Sequence, residues 1–388
     1  MDYNLTTRGL WVRYGGQSVT PEELEFAAKH YSVAMLQPWE EEAARRLKEL
    51  NPELTILCYK CLSSVRSYEP GPVYSSGLSF VEAEGLLSQG IDLFAHRLDG
   101  QRIEWNGYPG HWQMKVWESQ YRDRWVANVI NEVDQSPFDG VMADNDIQGD
   151  YYGLDLPIQE ARNMAVIHQG LEELVHQAGR ELNARGKLLV PNIAESRVNP
   201  GKWERHSAYG GGFEEVFLGW GEAEYLDKGA AIGQMNEMAG QLPEVEVGGN
   251  NRQRLTLLRA STDGANEHPN FMAGLAGMWL YGGGRWSALS AGAHDEHNDT
   301  PWIPELAWDL GRPLEDPAEH YGVLARRFSN GWVALNLTDQ ESGTVPVPFG
   351  MVDRFGRELR DVILPAHQGI VLIAAPWGKR QADSDYII

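Results

Sequence analysis

Two short stretches place acids where strands should be apolar. Phe138-Asp139-Gly140-Val141-Met142-Ala143-Asp144-Asn145-Asp146 reads as a strand closing on Asp144, with Asp146 just beyond it. Gly211-Gly212-Phe213-Glu214-Glu215-Val216-Phe217 is an apolar strand interrupted by two glutamates. Burying an unpaired carboxylate is costly, so acids in such settings call for a role. Two carboxylates brought over one pocket supply the acid and the base or nucleophile of glycoside hydrolysis. Asp144 is expected as nucleophile or water-activating base. Glu215 is expected as general acid, its pKa raised by burial beside Phe213 and Phe217. Alternation along the strand groups Phe213, Glu215 and Phe217 on one face and Glu214, Val216 and Leu218 on the other. Which face turns inward stays open; Glu215 is preferred, with Glu214 as the substitute.

The other strand ends carry groups that suit the same chemistry. Trp11 and Arg13 end the first strand, Gln37 and Trp39 the second, Lys60 the third and Asn192 the fifth, and His96 and Trp112 lie in the long connection after the third. With Asp146 they make the expected substrate-binding set, because aromatic planes cover the CH faces of a sugar while amides and charges hold its hydroxyls. Asp139 with Gly140 reads as a turn entering its strand. No metal or cofactor is expected. The run from Asp144 to Asp155 partly fits a calcium loop, but it has Gln148 at position five, Asp155 at position twelve and a strand in front. Cys58 and Cys61 fall on one strand at a spacing that points them to opposite faces, and no second pair completes a zinc site. His294 and His297 read as a solvated loop.

These residues need elements to position them, and the chain alternates strand and helix. Strands are predicted at 10–14, 33–39, 54–60, 138–146, 187–194, 211–220, 254–262 and 285–292, with 91–97 as a possible extra one. Helices are predicted after Thr20, at 40–50, 79–90, 118–135 and 156–186. Alternating βα units demand a parallel sheet, and nearly all-apolar strands are covered on both faces. The predicted fold class is therefore α/β, a (β/α)8 barrel whose chemistry sits at the C-terminal strand ends. An open doubly wound sheet is the weaker alternative, since no GxGxxG follows the first strand. Near residue 315 the helical period gives way to short strands and turns such as SNG and DQESG. The expected division is a barrel over 1–318 and a small antiparallel β-domain over 319–388, ending in the short tail ADSDYII.

The 388 residues hold 33 Lys and Arg against 55 Asp and Glu, a net charge of −22. That balance argues against nucleic acid or an anionic membrane as partner, and no apolar run approaches a membrane span. The start, MDYNLTTRG, shows no basic-then-apolar leader, which leaves the compartment open, as the composition leaves the oligomeric state.

The segments DGQRIEWNGYPGHWQM (99–114), WVANVINEVDQSPFDGVMADND (125–146) and GGFEEVFLGW (211–220) resemble glycosyl-hydrolase-like family 15, a barrel family distinct from the glucoamylases. More distantly they are similar to α-galactosidase and galactosaminidase barrels. RRFSNGWVALNLT and LPAHQGIVLIA are similar to the β-domain such barrels carry. The resemblance implies a catalytic pair from the fourth and sixth strands, Asp144 and Glu215 here, with GGFEE offering Glu214 where relatives have one dominant acid. The expected function is hydrolysis of an O-glycosidic bond in an oligo- or polysaccharide. The rivals are a non-catalytic carbohydrate-binding barrel and a metal-dependent glycosyltransferase using Asp144 and Asp146.

Overall fold

A computed structural model describes residues 8–282 and 286–375; the tail at 382–388 lies outside the described residues. Eight parallel strands run through the first part of the chain: β1 (Leu10–Arg13), β2 (Val33–Leu36), β3 (Thr55–Cys61), β4 (Gly140–Asp144), β5 (Leu188–Pro191), β6 (Gly211–Phe217), β7 (Leu255–Ser261) and β8 (Ser287–Gly292). Helices α1 (Pro21–His30), α2 (Glu41–Leu50), α3 (Phe80–Leu87), α4 (Ser119–Val133), α5 (Met164–Ala184), α6 (Lys228–Ala239) and α7 (Pro269–Gly282) lie between them. Local sequence explains several starts. Thr20 and Glu23 close a capping box on α1 with Pro21 in its first turn, and Ser79, Asn163 and Asp227 cap α3, α5 and α6 with their side chains.

β1 to β5 pair in chain order as one parallel sheet, and β6, β7 and β8 as another. Parallel bridges Leu189–Gly210 and Asn192–Phe213 link β5 to β6, and Gly9–Leu289 links β1 to β8. One face of the strands buries Leu10, Val12, Met35, Leu57, Met142, Val190 and Phe213 against each other. The opposite face, with Trp11, Leu36, Cys58 and Val141, packs under the helices. Gly140 is required where β4 meets β5, because a Cβ there would strike the carbonyl oxygen of Leu188. Asp139 is tied down by the Ile56 amide at 2.8 Å and by Lys48 at 2.6 Å, a structural pairing at the entry to β4.

The last part of the chain forms an antiparallel sheet of β9 (Ala318–His320), β10 (Val323–Phe328), β11 (Gly331–Leu335), β12 (Met351–Val352) and β13 (Gly369–Ala374), in the order β9-β10-β11-β13-β12. One face has its own core around Trp332 and Leu372. The other shares a core with α7 through Val333, Leu335 and Val371. This double burial explains why α7 has no polar stripe: PNFMAGLAGMWLYG lies between the parallel strands and the second sheet, and helical periodicity is unreadable in a helix apolar all round.

Two predicted elements differ. Residues 91–97 make only isolated bridges, Phe94 with Met114 and His96 with Arg102. Residues 156–163 are not helical: Ile158 and Ala161 anchor a loop in the core, and α5 begins only after Asn163 caps Ala165.

Candidate active site

A cavity of about 640 Å³ opens at the C-terminal ends of the parallel strands. Tyr14, Gln37, Tyr59, Asp144, Asn192 and Glu215 line it. Each stands two residues after an inward apolar side chain: Val12, Met35, Leu57, Met142, Val190 and Phe213. Side chains alternate along a strand, so the row that fills the interior emerges at its mouth as the polar wall.

Alternation also explains the residues that do not reach the cavity. Trp11 and Arg13 have the opposite phase from Tyr14. Trp11 stacks on Tyr31 and donates to the Asp299 carbonyl at 3.1 Å, while Arg13 pairs with Glu23 of α1 at 3.1 Å and donates to Asn298. Lys60 faces outward from β3 and is locked to Glu132 of α4 at 2.7 Å. His96 sits between Asp92 and Glu160, at 3.5 and 3.6 Å. Trp112 packs near Phe80 at 6.3 Å, and its neighbour His111 takes the place on the cavity wall. Of the aromatic candidates, Trp39 stands at the rim, 46% exposed.

Asp146 borders the cavity, but its carboxylate is committed elsewhere. It meets His206 at 2.5 Å and Lys202 at 3.2 Å, fully out of solvent. Burial alone would raise its pKa; the charges of His206 and Lys202 overcome that and hold it at about 2. Its carboxylate is a buried, ion-paired anion.

β6 carries a bulge at the decisive point. Leu258 pairs with Glu214 and Ala260 with Phe217, so Glu215 and Val216 together face Arg259. Glu215 follows Phe213 into the cavity, whereas the extra residue sends Phe217 outward to the core beneath α7. The expected neighbour Phe217 is therefore not beside Glu215. Glu214 lies on the other face, fully buried against Gln234 of α6, accepting the Val216 amide at 3.3 Å. Burial pushes Glu214 up to about 8.

The two cavity carboxyls have contrasting surroundings. Asp144 accepts from the Tyr59 hydroxyl at 2.6 Å, from the Asn145 amide N–H at 2.8 Å and side chain at 3.1 Å, and from Asn192 at 2.9 Å. Glu215 has no such set of donors among the described residues. Burial, reinforced by the charge of Asp144, pushes it up to about 7, with Arg259 and the nearby Asn192 side chain pulling the other way. Glu215, its pKa raised, thus shares the cavity wall with a carboxylate saturated with donors, one of them Asn192.

Several wall residues stand outside the expected substrate-binding set. Tyr14 and Tyr59, strand-end residues in the sequence, follow from counting two onward from Val12 and Leu57. Arg66 does not, because it comes from a hairpin, 64–66 with 111–113, inserted after β3. Trp105 stacks on Tyr152 at 3.8 Å across two long loops. The segment 293–298, expected in solvent, folds over the cavity: His297 packs on Tyr14 at 4.5 Å, and burial takes its pKa down to about 3. Asp295 reaches the Tyr108 hydroxyl at 3.0 Å. Outside the cavity wall, Glu222, Asp263 and His268 bring metal-ligand atoms within 4.8 Å of one another.

A sequence model described as hypothetical glycosyl hydrolase family 15 matches residues 48–332. Among solved structures, a family GH13_31 enzyme aligns with TM-score 0.56 and 10% identity over 95% of this chain and 99% of its own. An alpha-glucosyl transfer enzyme, XgtA, aligns with TM-score 0.54 and 11% identity over 95% of this chain and 97% of its own. At these identities the likeness is one of fold. No curated protein matches the chain.

Proposed function

Because the chain belongs to hypothetical glycosyl hydrolase family 15, we propose that it hydrolyses an O-glycosidic bond in an oligo- or polysaccharide. The two sheets and the bridges joining them are read as one closed (β/α)8 barrel over 1–318, with 319–388 as an accessory β-domain. The observation that carries the reading is the contrast between Asp144, which accepts from Asn192, and Glu215 on one cavity wall. Pairs of carboxyls whose environments push them apart mark the base and the acid. Asp144, fully supplied with donors, is the nucleophile. Glu215, held near 7, protonates the leaving oxygen and then takes a proton from the attacking water. Gln37 and Asn192 hold hydroxyls: each amide nitrogen donates to the protein, at Tyr14 and Asp144, which leaves its oxygen as a buried acceptor without a donor among the described residues. Trp39 stacks at the rim.

Asp146, held by Lys202 and His206, is unsuited as the second metal ligand of a glycosyltransferase. Screening 4-nitrophenyl α- and β-glycosides and soluble polysaccharides tests the proposal. Asp144→Asn and Glu215→Gln should each lower turnover about 10³-fold or more without unfolding. An Asp144→Asn protein as fast as the parent would refute the assignment, and glycan binding with no product from any bound ligand would favour the non-catalytic rival.

A further inference from the structure

We infer that Arg66 is a positioning residue for Asp144 that acts through Tyr59; this rests on reading Asp144 as the reacting carboxylate. Arg66 donates to the Tyr59 hydroxyl at 2.9 Å, and Tyr59 meets Asp144 at 2.6 Å. The direction of this chain is fixed by chemistry. A guanidinium has only donors, so Tyr59 must accept from Arg66, and its single hydrogen is then left for Asp144. Tyr59 is buried and its pKa is driven well above the usual phenol value, first by desolvation and then by the Asp144 charge, so the hydroxyl keeps its hydrogen. Asp144 is thereby held as an acceptor, which is the state a nucleophile needs.

Arg66 is itself oriented from behind. Glu69 receives it at 3.4 Å and is fixed by the Ser75 amide at 3.1 Å and by the Ser75 hydroxyl. The guanidinium also lies over the Tyr59 ring, 5.2 Å from its centre. The hairpin inserted after β3 thus delivers one charge to a strand-end carboxylate that it never touches, giving this insertion a role in the site.

A double-mutant cycle separates this from a purely structural role. Tyr59→Phe, Arg66→Met and the double variant are compared with the parent in two ways. The first needs no substrate: coupling of glycine ethyl ester to Asp144 by a water-soluble carbodiimide at pH 6, read by peptide mass mapping. The second is the pH profile of kcat/KM on a 4-nitrophenyl glycoside that the parent turns over. Removing the donor exposes Asp144, so each single variant should couple roughly 3- to 10-fold faster and move the acid limb to higher pH. The double variant should match Tyr59→Phe within about two-fold, since the proposed route runs through the hydroxyl; an effect of the Arg66 charge through space would persist in the Tyr59→Phe background and multiply in the double variant. Arg66→Lys, which can still donate, should stay near the parent and covers the case in which Arg66→Met misfolds. Effects that multiply in the double variant, or an Arg66→Met protein with parental coupling and acid limb, would overturn the inference. Failure of the reading beneath it appears separately, as turnover retained by Asp144→Asn.

Discussion

Asn192 donates its amide to Asp144 at 2.9 Å, and the same side chain lies near enough to Glu215 to lower its pKa. Two carboxyls beside one short side chain favour the close spacing of a retaining glycosidase, about 5–5.5 Å, over the about 6.5–9.5 Å of an inverting one. Proton NMR of the first product formed should show the anomeric configuration of the substrate, and an inverted product would mean that water, not Asp144, attacks.

Removing this donor to Asp144 should damage turnover more than binding. Asn192→Ala is expected to lower kcat about 10²-fold, the scale for losing one placed donor, with a smaller change in KM. Steady-state kinetics, with the melting temperature as a fold check, decides it.

The basic limb of the pH profile should report Glu215. As the acid it is competent while protonated, so kcat/KM is expected to fall as pH rises through about 7. Asp295 is an exposed contributor whose negative charge raises Glu215. Asp295→Asn should therefore move that limb to lower pH, by about 0.3 unit given solvent screening. An upward shift would contradict the electrostatics.

Glu214 makes a prediction about stability rather than rate. Its folded value of about 8 exceeds the unfolded value near 4.3, so the stabilisation that goes with its protonated form is complete below about pH 4.3 and is lost as pH rises through 8. Glu214→Gln cannot ionise. It should be close to the parent near pH 4 and more stable at pH 9, by on the order of 5 kcal/mol, as read by urea melts at the two pH values.

Asp146 should behave as a structural residue. Asp146→Asn leaves Lys202 and His206 buried without their anion, a change that costs about 3–5 kcal/mol. Thermal melts should drop by several degrees. Protein that remains folded should keep most of its kcat; a loss of kcat with unchanged stability would return Asp146 to the chemistry.

The strands that build the cavity were legible because their signals are local: apolar runs at 33–36, 55–61 and 255–261, the acids closing β4 and interrupting β6, and the Thr20–Glu23 cap of α1. Family membership rests on the same local strings. The phase of each strand was not legible. Alternation divides Trp11 and Arg13 from Val12 and Tyr14 in any strand, but which pair faces the interior depends on the strands and helices that pack on either side, and those contacts lie far apart in sequence. The bulge that separates Glu215 from Phe217 exists only against β7. The fates of Asp146 and Arg66 were likewise set by Lys202, His206 and Tyr59, partners that come together only on folding. Residue type and spacing thus determined the set of available chemical groups, while packing determined which of them share one cavity, because burial and pairing are properties of neighbours in space.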